Sequence, residues 1–482
     1  MKDEGRAATP WGPVPPAADG AALRARIRAL RAGRKVMVLD DDPTGSQSVH
    51  GVQVVTVADP AEYDQALAAA TGSFVLTNTR SLSEPDAVAV NQSVARDVLA
   101  VAARRGVSVD LVSRGDSTLR GHVLAEITTL DEVHRHATGR GYDAVLFVPA
   151  YLEAGRVTAG DIHWARVGDR FQPVGETEFA RDATFGYRSS HLRDYLVEVS
   201  GERLKADRVH SVSLEDIRLG GVARVSQVLA AAGGGDIIVV NALEYADLET
   251  VALAALTATA QGRSLLYRSG PSFVRALLGQ EPLPPLSRAQ IWPDQRPDGH
   301  GLIVVGSHVG QTSRQVSALR AAVEPLVVTL DVPALLAYDA DGRRAYLREL
   351  GATTAEALSR GDVLLLTSRT RVSGRSGEGS LRIARQVSEA VTTVVRRALA
   401  AEPAWVLAKG GITSHDVAVH GLGIRRAEVA GQFFPGLVSL FRPTSADPRM
   451  LGRPYVVFAG NVGDDRALAE VAVRIADRGG AG

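Results

Sequence analysis

The 482-residue chain contains no cysteine, which excludes disulfides and thiolate metal sites. Lysine is scarce: of 54 basic residues only Lys2, Lys35, Lys205 and Lys409 are Lys, so the positive charge is almost all guanidinium. Neither sign of charge is in excess, because 54 acidic residues balance the basic ones. No global field therefore recruits nucleic acid or an acidic surface. Long hydrophobic runs are also missing; none reaches the roughly 18 residues of a membrane-spanning helix. Residues 1–20, rich in Pro and Ala, lack the basic-then-apolar layout of a signal peptide. They read as a disordered tail on a cytoplasmic protein.

What is present is an ordinary globular composition in a chain too long for one core, so two domains are expected. In the first half, short apolar runs alternate with segments of helical period, the pattern of a parallel sheet flanked by helices. Residues 35–39 form the first such strand and end in Asp40-Asp41-Asp42-Pro43-Thr44-Gly45. Carboxylates crowded at a strand end repel one another and need a cation, a hydroxyl or a backbone N–H as partner. Residues 74–76 end in Thr77-Asn78-Thr79-Arg80-Ser81, and residues 107–112 in Ser113-Arg114-Gly115-Asp116-Ser117-Thr118-Leu119-Arg120-Gly121. Residues 143–148 end in a segment that carries Glu153, Gly155 and Arg156.

In a parallel sheet these four strand ends share one edge, which is where ligands bind. Arg80, Arg114, Arg120 and Arg156 are thus expected to converge with Asp41, Asp42 and Asp116. Guanidinium forks suit a small carboxylate or phosphate, and neighbouring Asp can orient hydroxyls or take a proton. A polyhydroxy acid fits that mixture. The competing reading is that these Arg and Asp balance one another as structural ion pairs, although buried pairs carry a desolvation cost. His134, His136, His191 and His210 have no metal-ligand spacing.

Residues 279–299, rich in Pro and polar side chains, mark the boundary between a first domain (21–278) and a second (300–482). The second domain repeats the strand-then-glycine pattern. Residues 302–305 are followed by Gly306-Ser307, residues 405–407 by Lys409-Gly410-Gly411-Ile412-Thr413, and residues 455–458 by Gly460-Asn461-Val462-Gly463. Strand, glycine turn and helix aim backbone N–H groups at an anion, and Lys409 could add a charge. The lysine and spacing of a Walker A loop are missing. Three such ends suggest a nucleotide phosphate chain lying across the edge. The fold class expected is α/β, with two domains, each a mainly parallel sheet flanked by helices.

Taken in order, these motifs resemble those of the four-carbon acid sugar kinase family, once catalogued as a domain of unknown function. The resemblance runs over residues 36–475. Asp41-Asp42-Pro43-Thr44-Gly45 is similar to the family's Asp-Asp-x-Thr-Gly opening. Asn78-Thr79-Arg80-Ser81, the 114–121 segment and Pro149-Ala150 with Gly155-Arg156 match its next signatures. The resemblance implies a sugar-acid-binding first domain, a nucleotide-binding second domain, and ATP-dependent phosphorylation of the terminal hydroxyl of a tetronate or 3-oxo-tetronate, with Mg²⁺ bridging the phosphates. Asp41, Asp42, Thr44, Asn78, Arg80, Ser81, Arg114, Asp116, Ser117, Arg120 and Arg156 would line the acid site. Asp116, or else Asp42, would take the proton. Ser307, Gly410, Gly411, Ile412, Thr413, Gly460, Asn461 and Gly463 would hold ATP. Ile412 stands where many members carry an acidic residue, for which Asp416 could substitute. Metal ligands are not assigned. The partners implied are a small sugar acid and ATP, not nucleic acid or a membrane; the oligomeric state, a homo-oligomer included, is left open. A sugar-acid dehydrogenase or isomerase is disfavoured because no Gly-x-Gly-x-x-Gly follows the first strand. A non-catalytic sugar-acid sensor of the same fold is the other alternative.

Overall fold

A computed structural model describes residues 9–42, 45–306, 310–368, 377–460 and 462–476. Thr44, Ser307 and Asn461, expected at the two sites, lie outside the described residues. The chain divides into two compact units, one of Met1–Val49 with Ala58–Pro282, the other of His50–Val57 with Leu283–Gly482.

The first unit begins with β1 (Arg34–Asp40), whose apolar run is buried from Val36 onward. The next strand, β2 (Val52–Val55), belongs to the second unit, although the sequence pattern placed it in the first domain. Its side chains are buried on both faces, so its own sequence carries no mark of which sheet it joins. β3 (Gly72–Leu76), β4 (Ser108–Arg114) and β5 (Ala144–Val148) come after it. A small antiparallel sheet of β6 (Arg156–Ala159), β7 (Ile162–Val167) and β8 (Arg170–Pro173) is inserted next. β9 (Val209–Val212), β10 (Asp236–Val240) and β11 (Leu265–Ser269) complete the unit. The main sheet runs β3–β1–β4–β11–β5–β10–β9, and every pairing is parallel. That order puts β1, β3, β4 and β5 with their carboxyl ends on one edge, as the strand-helix alternation implies.

The helices between these strands begin and end where local chemistry dictates. Asp59 caps Pro60–Ala69 by accepting from the Ala61 N–H at 2.8 Å. Ser83 caps the long helix Glu84–Arg105, which stops at Gly106 in the left-handed region (φ 67°). Residues 9–19 do not trail free, contrary to the expected tail: the Trp11 ring packs edge-on to Phe171 (5.0 Å) and Trp164 (6.0 Å), and the Pro15 carbonyl accepts from Arg218.

In the second unit β12 (Gly301–Val305), β13 (Leu326–Leu330), β14 (Val363–Thr367) and β15 (Trp405–Lys409) precede a hairpin of β16 (Arg426–Phe434) and β17 (Leu437–Ser445), then β18 (Tyr455–Phe458). The sheet runs β13–β14–β12–β15–β18 in parallel, then continues antiparallel through β17, β16 and β2. The apolar residues of β12, β15 and β18 meet the helices Gly310–Val323 and Ala467–Ala476 in one buried cluster. No helix among the described residues is long and apolar enough to cross a membrane.

Candidate functional site

At the carboxyl edge of the first unit's sheet, three aspartates leave β1 in different surroundings. Asp40 points into the sheet edge, where Arg114 at the end of β4 donates to it at 2.9 Å. Both are almost wholly buried, so Arg114, expected to face a ligand, instead serves chiefly as the counter-ion of Asp40. Gly45 returns the chain over this pair; a Cβ there would overlap Asp40 Oδ2, so only glycine allows the turn. Asp42 is half-buried and pairs with the Arg80 guanidinium. Asp41 lies between: it is 1% exposed, and among the described residues neither carboxylate oxygen has a hydrogen-bond donor. Its nearest charges are Arg114 at 3.8 Å and Arg80 at 3.9 Å.

Arg80 sits in the short turn Thr79–Ser81, entered through Asn78 in the left-handed region (φ 51°). Its guanidinium reaches Asp42, Asp41 and, at 3.6 Å, Asp116. Asp116 also accepts from Arg120 Nε at 2.7 Å and from the Thr118 hydroxyl. Arg120 lies 3.6 Å from Asp182 and over the Phe179 ring. Arg156 lies over the Phe179 and Tyr151 rings, and its buried Nε has no partner among the described residues. Ser117 is buried, and Ser81 spends its hydroxyl on the Asn78 carbonyl. Asp41, Asp42, Arg80, Asp116 and Arg120 thus form one ion-paired group, with Arg156 beside it.

The titrations follow from these contacts. Burial pushes Asp40 up to about 6 against the opposing pull of Arg114, and Asp41 up to about 6 against that of Arg80. Asp116 is also buried, which alone would raise it, but Arg80, Arg120 and the Thr118 hydroxyl hold it down at about 2. A carboxyl raised in the folded state binds more protons there than in the unfolded chain. Asp41 therefore costs stability as pH rises from about 4 to about 6, by about 2–3 kcal/mol when fully ionised. Asp116 acts oppositely: its contribution is present above about pH 4 and is lost as pH falls toward 2. Asp41→Asn should accordingly raise the thermal midpoint at pH 7 relative to that at pH 4.5, compared with wild type. An unchanged difference would show that Asp41 does not titrate in that window.

Behind this edge lies a pair that the motif reading missed. Glu126 and Arg268 are ion-paired, with side chains each 3% exposed. Arg268 also donates to the Ser113 hydroxyl at 2.6 Å, and Glu126 accepts from Thr79 at 2.9 Å. Arg268 ends a strand in the sequence, so its position was readable. Glu126 lies within a helix and carries no such mark.

In the second unit, the glycine ends of β12, β15 and β18 also share an edge. Gly410 has φ 117°, and its N–H donates to the Phe458 carbonyl at 2.8 Å, tying the end of β15 to that of β18. Thr413 lies close against Gly306: a Cβ on Gly306 would run into the Thr413 hydroxyl. Gln315, on the helix after β12, donates to the carbonyls of Val462 (3.1 Å) and Asp464 (2.7 Å), and Gln311 donates to that of Gly463. Thr312 reaches the Gly460 carbonyl at 3.4 Å. No described atom outside its chain neighbours and its own helix backbone lies within 4 Å of where a Cβ on Gly411 would stand, and Ile412 is 70% exposed. Two expectations are corrected here. Lys409 does not face the turn; it is fully buried, donates to the Ala459 carbonyl at 2.8 Å and lies against the Phe458 ring. Burial without a carboxylate lowers its ammonium to about 7. Asp416, the suggested substitute for an acid at position 412, is bonded to the Ser388 hydroxyl.

Comparison with known proteins assigns both edges to one family. Residues 36–277 match the family model described as a sugar-binding N-terminal domain, and residues 302–468 match the nucleotide-binding C-terminal domain. The chain belongs to the four-carbon acid sugar kinase family. A curated relative, D-threonate kinase of Salmonella typhimurium (strain LT2), is 27% identical over 312 residues, 64% of this chain and 66% of that protein. The match thus spans slightly less than two thirds of the kinase's length. Two solved structures share the fold. One, a Salmonella typhimurium LT2 protein provisionally described as a tRNA synthase, has a TM-score of 0.66 at 16% identity, covering 91% of this chain and 98% of its own. The other, a Haemophilus influenzae protein of a domain-of-unknown-function family, has a TM-score of 0.61 at 15% identity, with the same coverage.

Proposed function

We propose that the protein is an ATP-dependent kinase that phosphorylates the terminal hydroxyl of a four-carbon acid sugar. The observation that carries this reading is the first unit's strand-end edge. There, the Arg80 guanidinium lies 3.9 Å from a buried carboxylate, Asp41, whose oxygens have no donor among the described residues, and Arg120 and Arg156 stand on the Asp116 side of the same group. Arg120 and Arg156 hold the substrate carboxylate, a role suited to planar forks. Arg80 and Asp42 orient hydroxyls.

The proton acceptor in this reading is Asp41 rather than Asp116. Asp116 is held near 2 by two guanidiniums and is a weak base, whereas Asp41, raised to about 6, is ionised yet basic at neutral pH. The hydroxyl proton passes to the carboxylate, the hydroxyl oxygen forms a bond to the γ-phosphorus, and the bond from that phosphorus to ADP breaks. Asp41→Asn should lose turnover and keep ATP binding.

ATP is assigned to the Gly306, Gly410–Gly411, Thr413 and Gly460–Gly463 turns, whose backbone can approach a phosphate closely. Mg²⁺ supplies charge neutralisation on the phosphates. Among the described residues no group of three acidic or histidine side chains is arranged to hold a metal ion. The space beside Gly411 suits a variant there: in Gly411→Val the added Cβ meets no described atom within 4 Å, so the protein should fold. It should raise the KM for ATP about tenfold or more while leaving the KM for the acid unchanged. An unchanged KM for ATP would remove this turn from the nucleotide site.

The deciding experiment is ADP release from ATP and Mg²⁺ across four-carbon sugar acids and their 3-oxo forms, with an acid-free control. Release that depends on one acid establishes the kinase and names its substrate. Thermal stabilisation by an acid with no ADP release would overturn the kinase in favour of a sensor.

A further inference from the structure

The loop that carries Asp116 and Arg120 is held from one side by three buried rings. It runs from the end of β4 to the helix Val123–Thr138 and turns through Leu119 in the left-handed region (φ 70°). Three consecutive carbonyls each accept from a different ring. His163 Nε2 reaches the Ser117 carbonyl at 2.8 Å, Tyr187 Oη the Thr118 carbonyl at 2.7 Å, and Tyr195 Oη the Leu119 carbonyl at 2.5 Å. The rings are 0%, 5% and 1% exposed, so water does not compete for these carbonyls. All three come from the 156–199 segment, which comprises the inserted antiparallel sheet and the chain from there to the end of the helix Leu192–Val199, and not from the strands of the main sheet.

The chemistry of each ring is set for donation. A carbonyl only accepts, so His163 Nε2 carries the proton and Nδ1 accepts from the Thr158 hydroxyl at 2.9 Å. Burial keeps this imidazole neutral, with its titration lowered to about 4. The two tyrosines brace each other edge-on at 5.2 Å, and Tyr195 stacks on Phe147 of β5. On the opposite side of the loop His122 reaches the Leu82 carbonyl at 3.0 Å, next to the turn that carries Arg80. Three hydrogen bonds in a row fix the peptide planes on either side of a strained residue. They therefore fix where the Asp116 and Arg120 side chains start.

We infer that His163, Tyr187 and Tyr195 are positioning residues, and that the 156–199 insertion is the template that sets the Asp116–Arg120 loop for the sugar acid. The inference rests on the kinase reading above for what the loop binds, but not for how the loop is held. It implies that the insertion, though remote from the phosphoryl donor, controls how productively the acid is bound. A misplacement of about 1 Å at such a loop can cost on the order of a hundredfold in rate.

The test uses the full-length protein. Tyr187→Phe with Tyr195→Phe removes two donors without changing volume. His163→Leu removes the third, and His163→Gln returns an amide donor. The double variant and His163→Leu should lose about tenfold or more in kcat/KM for the acid and keep the KM for ATP, and each should also lower the thermal midpoint, because the carbonyls are left buried without a donor. His163→Gln should regain much of the loss. Equal losses toward acid and ATP, or no recovery with Gln, would overturn the inference in favour of a general structural role. Wild-type silence on every acid would instead overturn the kinase reading. The loop is then judged by amide hydrogen exchange: the double variant must speed exchange in residues 115–122 and leave β4 unchanged. Unaltered exchange there would overturn the template.

Discussion

Replacing Arg80 with methionine should abolish acid-dependent ADP release, by a factor of about a thousand or more, and lower stability at pH 7 by about 2–4 kcal/mol. The reason is its position as hub. One guanidinium lies within ion-pair reach of Asp42, of Asp116 at 3.6 Å and of Asp41 at 3.9 Å. Methionine keeps the stem and removes only the charge, so the effect is electrostatic. The three carboxylates then repel one another with one fewer cation, and their proton affinities rise. The variant's folded state binds more protons than that of wild type, so its stability deficit should shrink as pH falls from about 7 toward about 5. Arg80→Lys should recover part of the stability but little of the turnover, because an ammonium cannot span the same acceptors as a planar fork. Turnover within tenfold of wild type would remove Arg80 from the acid site. A stability deficit that ignores pH would trace the loss to packing instead.

The hub also shows what a strand-end pattern can and cannot reveal. The apolar runs before Asp40, Thr77, Ser113 and Pro149 mark strands, and a parallel sheet brings their ends to one edge whatever the details. Arg80, Arg120, Asp41, Asp42 and Asp116 were legible for that reason. Their division of labour was not. Asp40, Asp41 and Asp42 are identical in composition and adjacent in sequence, yet one is salt-bridged inside, one is buried without a donor among the described residues, and one is half-buried and paired with Arg80. Only the pleat and the path of the turn through Gly45 separate them. The family resemblance offers Asp116, or else Asp42, as a base, and the sequence neighbours of Asp116 are polar. Those same neighbours, Arg120 and Thr118, are what disable it as one.

The second unit repeats the lesson. Lys409 beside two glycines reads as a phosphate ligand, but β15 is buried on both faces, so the lysine at its last residue lies inside on either one. It donates to the Ala459 carbonyl. The assignment of β2 to the second unit was equally illegible, since its partner strand β16 begins at Arg426, more than 300 residues later. The ring donors His163, Tyr187 and Tyr195 act on backbone carbonyls, which leave no trace in side-chain motifs.

Breaking the Glu126–Arg268 pair should give the largest stability loss of any single replacement at this edge. Both side chains are 3% exposed, so neither ion can turn to water when its partner is removed. Arg268→Met should cost about 3–5 kcal/mol, most of it the penalty of leaving Glu126 buried and unopposed. The double replacement Glu126→Leu with Arg268→Met removes both charges and should recover most of that loss. It still leaves the hydroxyls of Thr79 and Ser113 without this partner, at a cost of about 1–3 kcal/mol. Denaturant unfolding of the two single variants and the double variant gives the coupling directly. A coupling below about 1 kcal/mol would mean that the pair contributes nothing beyond its separate contacts. Function should not recover with stability. Thr79 opens the turn that carries Arg80, and Arg268 lies directly under Gly115, where a Cβ would overlap its Nη2. A stable double variant that still turns over the acid poorly would separate the two roles of the pair, since the apolar replacement fills the space but no longer fixes the Arg80 turn and the Asp116 loop relative to each other.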